Sequence, residues 1–196
     1  GALACAGLAL AGAPAGWSLH TVLPYLPFVL YTLTNGERLC RAMFYNCDMP
    51  LMRYPFYREA AGKHFRLRLR RLLGMNLLVG AALATLLTAA AAVAGWPLAA
   101  GHLLPLWTTV LALACLFSIH HLLLYYLFQP YSAEMNAKNP MFHAFNMILS
   151  AACWITIILR PAPSSLAVGA LALCILYMLA AATLVSRYGP RTFRMK

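Results

Sequence analysis

Few side chains in this chain are able to carry out chemistry. Its 196 residues hold four acids, Glu37, Asp48, Glu59 and Glu134, with six histidines, six cysteines and fifteen Lys and Arg. Proton- or ion-coupled transport commonly uses carboxylates near the bilayer midplane, and hydrolysis within a membrane needs paired acids or a metal. All four acids lie in polar segments between apolar runs, so neither chemistry is expected of the runs themselves. The adjacent His120 and His121 point about 100° apart on a helix, which hinders shared ligation of one metal. Either is able to approach His143 from the next run, in a metal or proton role, or to serve as a hydrogen-bonded histidine near a helix end.

The cysteines form no CxxC, and Cys5, Cys115, Cys153 and Cys174 fall within apolar stretches, where a thiol packs as a small hydrophobe. Cys40, Cys47, Asp48 and His64 are the residues from which a thiol catalyst would be built, but their spacing matches no local signature. GxxxxGK[ST] is absent, because Lys63 is followed by His64, so no ATP is hydrolysed by this chain alone and no cofactor is expected. GxSxG is absent too. An integral membrane enzyme, or an enzyme subunit using Cys and His near one face, is the alternative to a non-enzymatic membrane component.

The elements that position these residues are apolar helices. Hydrophobic residues make up 63% of the chain, charged ones 10%, and mean hydropathy is +0.73, which excludes an ordinary soluble domain. Runs at 72–93, 103–128, 141–159 and 165–185 are each long enough to cross about 30 Å of hydrocarbon. The opening stretch, 1–33, is broken by Pro14, Gly16, Pro24 and Pro27 and is either one kinked span or the end of one helix followed by a short second one. The expected fold is an all-α, polytopic transmembrane bundle of about five spans, divided into a kinked membrane segment (1–36), a coupling segment (37–71), a four-helix region (72–186) and a basic tail (187–196). With no Met at its start and no basic residues ahead of the first apolar stretch, the chain is read as part of a longer one.

Net charge is +11. The bases cluster outside the apolar runs, which favours membrane topology and anionic headgroups over nucleic acid as the reason for them. Nine lie in 37–71, one is Lys138 and four are in the tail, all on one side, against Arg160 alone on the other. The positive-inside rule makes the rich side, with the C-terminus, cytoplasmic. Gly95-Trp96-Pro97 and Arg160-Pro161-Ala162-Pro163 then form tight outer turns. Gly80, Ala84, Thr88 and Ala92 recur every four residues, either admitting a neighbouring helix or facing lipid.

The segment 37–71 is dense in aromatics, Arg and Pro. Asp48 is expected to cap a short helix beginning at Met49, which Pro55 ends near Arg53. Phe65, Leu69 and Leu72 follow at i, i+4 and i+7 with Arg66, Arg70 and Arg71 elsewhere around the turn, the pattern of a basic interfacial helix. The segment is either a docking element or a membrane anchor.

Five strings in order, Asn46-Cys47-Asp48, Tyr54-Pro55-Phe56-Tyr57-Arg58, Gln129-Pro130-Tyr131, Lys138-Asn139-Pro140 and 188–196 (Tyr-Gly-Pro-Arg-Thr-Phe-Arg-Met-Lys), resemble those of a bacterial ABC exporter family, in its membrane (permease) subunit. The resemblance spans 37–196. It implies a permease, alone or as a homo- or heterodimer of such subunits, that pairs with a separate ABC ATPase and receives the force of nucleotide binding through short cytoplasmic helices. Asp48, Arg53, Tyr54, Phe56, Tyr57 and Arg58 become the expected coupling residues, with Arg53 and Arg58 available to acids of the partner. No substrate or catalytic residue is carried over.

Overall fold

The computed structural model describes residues 18–34, 36–131 and 139–192. The first 17 residues, with Cys5, Pro14 and Gly16, the segment holding Glu134 and Lys138, and 193–196 lie outside the described residues. Nine α-helices and no β-strand are found among the described ones: α1 (Leu19–Val22), a 3-10 turn (Leu23–Tyr25), α2 (Leu26–Leu33), α3 (Gly36–Met43), a π turn (Phe44–Asp48), α4 (Met49–Leu51), α5 (Pro55–Glu59), α6 (Ala61–Val93), α7 (Ala100–Phe128), α8 (Pro140–Leu159) and α9 (Pro163–Thr192).

α6, α7, α8 and α9 are each long and apolar enough to cross a membrane. The architecture is that of an all-α, multi-pass membrane protein. α7 is its axis, for 83% of its most apolar stretch is buried against only 11% for α8. An apolar surface of that kind on the outer helices is what lipid requires, since hydrocarbon solvates Leu and Ile as readily as a protein core does.

The seam between α6 and α7 is made by Leu72, Asn76, Gly80, Leu83, Ala84, Leu87 and Ala91. A Cβ on Gly80 would stand 3.3 Å from that of Ala114, so the helices approach closely there. The small-residue stripe therefore packs against a helix at Gly80 and Ala84. By Ala92 it has rotated to the exposed surface, because a repeat of four outruns the 3.6-residue turn. Within the seam Asn76 donates to Ser118 Oγ at 2.6 Å, and Ser118 donates on to the Ala114 carbonyl at 2.7 Å.

Turn chemistry sets the ends of these helices. Gly95, at φ +70°, closes α6 where a side chain would be strained. Gln129 and Arg160, at φ 40° and 46°, end α7 and α8 in the left-handed region, each ahead of a proline that cannot continue the helix. Asn139 caps α8 by accepting from the Met141 amide at 3.0 Å, and its Nδ2 donates to the last turn of α7 at Phe128 O, 2.7 Å. Two of the quoted strings thus act as joints of the bundle.

Two boundaries differ from expectation. The helix entering the second apolar run begins at Ala61 rather than 72, so 61–71 is no separate element. At about 1.5 Å per residue α6 is about 50 Å long, well beyond the hydrocarbon layer, and exposes Arg66, Arg70 and Arg71 on its first turns. At the other end of the chain, 187–192 continue α9 instead of starting a tail. The described part of the opening stretch is a kinked helical run from Leu19 to Leu33, turned at Pro24 and Pro27.

Candidate functional site: a buried ion pair beneath an exposed aromatic edge

α3, the π turn and α4 follow one another without a break, and α3 packs against α7. Asp48 is consequently in mid-helix, at φ −83° and ψ −35°, and its side chain makes no capping bond. The expected cap at Met49 is corrected: that helix had already begun at Gly36. The expected end near Arg53 holds, since α4 stops at Leu51 and Tyr54 before Pro55 is extended; Pro55 also opens α5, where a missing N–H is no loss.

Asp48 is fully buried. Its Oδ1 accepts from the Tyr57 hydroxyl at 2.5 Å and from Arg68 Nη2, and its Oδ2 accepts from Arg68 Nη1 at 2.6 Å and from the Tyr125 hydroxyl. Four donors occupy both oxygens, which is how a carboxylate survives removal from water. The guanidinium engages in its two-pronged fork and also donates to the hydroxyls of Tyr126 at 3.1 Å and Tyr57 at 3.0 Å. One ion pair therefore joins the π turn, α5, α6 and α7. Burial, reinforced by the bond it donates to Asp48, pushes the Tyr57 phenol up to about 12, with Arg68 opposing.

Arg68 is the residue that sequence reasoning missed. The signal was present, since Phe65, Arg68 and Leu72 stand at i, i+3 and i+7 and so share a face, and Phe65 and Leu72 are buried. The expected coupling residues separate into two sets. Asp48 and Tyr57 turn inward, whereas Arg53, Tyr54 and Phe56 are exposed, Tyr54 at 53% and Phe56 at 64%. The rings of Tyr54 and Phe56 stack at 5.6 Å and 27°. Arg58 is half-buried, and its Nε has no partner.

The residues of the imagined thiol site are dispersed among other tasks. Cys40 is buried and its Sγ donates to the His121 carbonyl at 3.7 Å, Cys47 is exposed, and the His64 ring lies on Tyr57 at 4.6 Å. Burial raises the Cys40 thiol above its ordinary range, withholding the reactive thiolate. In detergent, therefore, a maleimide should label Cys47 within minutes and leave Cys40 unmodified until the protein is denatured. Equal labelling of both, read by mass spectrometry of peptides, would contradict this packing.

Of the two histidine readings, the hydrogen-bonded one holds for His120 and the approach to His143 does not. His120 meets Asn146, not His143: its Nε2 lies 3.2 Å from Asn146 Oδ1 and its Nδ1 lies 2.8 Å from the Tyr177 hydroxyl, joining α7, α8 and α9. His143 is exposed. Among the described residues, no three His, Cys, Asp or Glu side chains gather as a metal would need. Comparison with protein-family models, with curated proteins and with solved structures finds no match for this chain.

Proposed function

We propose that this chain is the membrane subunit, or part of the membrane subunit, of an ATP-driven exporter of the ABC class, lying in the cell membrane with its C-terminus in the cytoplasm. A separate ATPase supplies the energy, and the helices from Gly36 to Glu59 transmit it. The observation that carries this reading is the Asp48–Arg68 pair. Through it the segment that presents Arg53, Tyr54 and Phe56 is tied to two membrane helices by charge-assisted bonds, so a push on the exposed edge moves α6 and α7 with it. A simple interfacial anchor has no need of such a link.

Five crossings fit the same reading. His20 rests against His102 at one end of α7, ring centres 5.3 Å apart, and Gly36 abuts His121 toward the other end. Between His102 and His121 α7 rises about 28 Å, close to one hydrocarbon thickness, and the stretch from His20 to Gly36 meets α7 at both ends of that rise. The alternation then leaves Arg66, Arg70 and Arg71 beside anionic headgroups of the cytoplasmic leaflet.

The test is affinity purification from detergent, comparing the native chain with the triple variant Arg53→Glu, Tyr54→Ala, Phe56→Ala. These side chains are exposed, so their loss should move unfolding by no more than about 0.5 kcal/mol. Aromatic and Arg anchors at the centre of an interface are each worth about 2 kcal/mol or more, so the ATPase should disappear from the eluate. An ATPase co-eluting at undiminished yield with the variant would end the docking proposal. Sidedness is checked separately: an impermeant maleimide should label Cys47 in inside-out vesicles and leave it untouched in intact cells.

A further inference from the structure

We propose that the cleft between α8 and α9 holds one acyl chain of a phospholipid from the leaflet at the Arg160 end of the bundle, with the phosphate of that lipid at Arg160. The cavity measures about 270 Å³ and is walled by α2 at Pro27, by α7 at Leu113 and by the facing sides of α8 and α9 at Leu149, Ala152, Gly169 and Leu173. An apolar cavity of roughly 150 Å³ already takes up benzene, so this one has room for a longer hydrocarbon.

The two helices are tied at both ends and part between them. At one end His120 meets Asn146 of α8 at 3.2 Å and Tyr177 of α9 at 2.8 Å. At the other they are joined by the short turn through Arg160 and Pro161. Small side chains at Ala152 and Gly169 leave the middle unfilled, and a Cβ on Gly169 would meet nothing within 4 Å. Ala152, Gly169 and Leu173 are also exposed, so the cavity opens at the flank of the bundle, where lipid lies.

The chemistry of the wall selects hydrocarbon. The Thr156 hydroxyl donates to the Pro24 and Cys153 carbonyls at 3.0 and 2.7 Å, and that of Ser165 to the Ala162 carbonyl at 2.7 Å, so both hydroxyl hydrogens are engaged. No lining side chain leaves a buried polar atom unpartnered, and a water, which needs two to four polar partners, gains no hold there. From Ser165 to Leu173 α9 rises about 12 Å, most of the roughly 15 Å of hydrocarbon in one leaflet. Pro161 belongs to the wall as well, which puts its neighbour Arg160, the lone base on that side of the charge pattern, at the mouth. A lipid on the outer faces of α8 and α9 meets a convex apolar surface. Here four helices and a cation meet a single lipid, and the site stands whether or not the chain is a transporter subunit.

Native mass spectrometry of the detergent-purified chain given phosphatidylglycerol should show one lipid retained per chain. Gly169→Phe fills the cavity and should cut retention at least about tenfold, the effect of excluding only two methylenes. Ala152→Phe, from the opposite wall, should do the same. Both positions are exposed, and an unchanged elution volume verifies that the variants fold. Leu176→Phe, on the exposed face of α9, should leave retention as it is. Arg160→Asn, which suits the left-handed backbone there, should weaken retention about threefold, the worth of one exposed ion pair. Undiminished retention in Gly169→Phe or in Ala152→Phe overturns the proposal, as does an equal loss in Leu176→Phe. Undiminished retention in Arg160→Asn overturns the placement of the phosphate. A lipid-free dimer that Gly169→Phe converts to monomer would give the cleft to a second copy of the chain and overturn the proposal as well.

Discussion

Arg68→Met should lower the stability of the detergent-solubilised chain by about 3–5 kcal/mol, the cost of leaving one member of a buried ion pair alone. Met keeps most of the side-chain volume, so the loss reports charge and hydrogen bonding, not a cavity. Asp48 is then left fully buried with only the hydroxyls of Tyr57 and Tyr125 to stabilise its charge. Asp48→Asn should cost less, about 1.5–3 kcal/mol, since the amide oxygen still accepts a hydrogen bond and Arg68, at 15% exposure, has a path toward water. If the groups act as a pair, the double variant Asp48→Asn with Arg68→Met loses clearly less than the two single losses added together. Denaturant-induced unfolding followed by tryptophan fluorescence supplies the numbers. Strict additivity would show that the bridge is not a coupled unit. Had Asp48 been only a helix cap, its removal would have cost about 1 kcal/mol.

Gly36→Ala should be nearly as damaging, by about 1–3 kcal/mol, and Gly36→Val more so, through overpacking. A Cβ at Gly36 would stand 2.8 Å from both Cβ and Cγ of His121. Rotation of the imidazole leaves the Cβ contact in place, because its Cβ does not move with the ring, so α3 must retreat from α7. Gly62 and Gly74 serve as controls within α6, where a Cβ meets nothing within 4 Å. Ala at either should stabilise by about 0.5–1 kcal/mol through helix propensity. A destabilisation at Gly36 no larger than the change at Gly62 would show that the contact between α3 and α7 is not tight.

These two sites also separate what was legible before the structure from what was not. The four apolar helices needed only the sequence, because crossing a membrane is a one-dimensional requirement: enough consecutive apolar residues, ended by Gly95, Gln129-Pro130 or Arg160-Pro161. The helical face of Phe65, Leu69 and Leu72 was likewise legible, since helical periodicity puts neighbours three and four apart on one side, but Phe65 and Leu72 pack inside the bundle and not at a membrane interface.

Asp48 illustrates the opposite case. From sequence an Asp before Met-Pro reads as a cap, because capping depends on residues two or three positions away. Its actual partners are nine, twenty and seventy-seven residues distant, in Tyr57, Arg68 and Tyr125. No local pattern encodes a pairing across such separations, and among fifteen basic residues nothing in the one-dimensional order distinguishes Arg68 from its neighbours Arg66 and Arg70 except its face.

The sequence alone determined which segments must be helical and apolar, and where α6, α7 and α8 stop at Gly95, Gln129-Pro130 and Arg160-Pro161, because hydrophobic burial and turn chemistry act over a few neighbouring residues. Only the tertiary structure decided that α7 is the axis, that His120 bonds Asn146 and Tyr177, and that Asp48 and Tyr57 turn inward while Tyr54 and Phe56 stay outside. Those outcomes follow from how helices of comparable apolarity pack. Hydrocarbon solvates every apolar face equally well, so in a membrane it is the few polar side chains, once brought close, that select which faces meet.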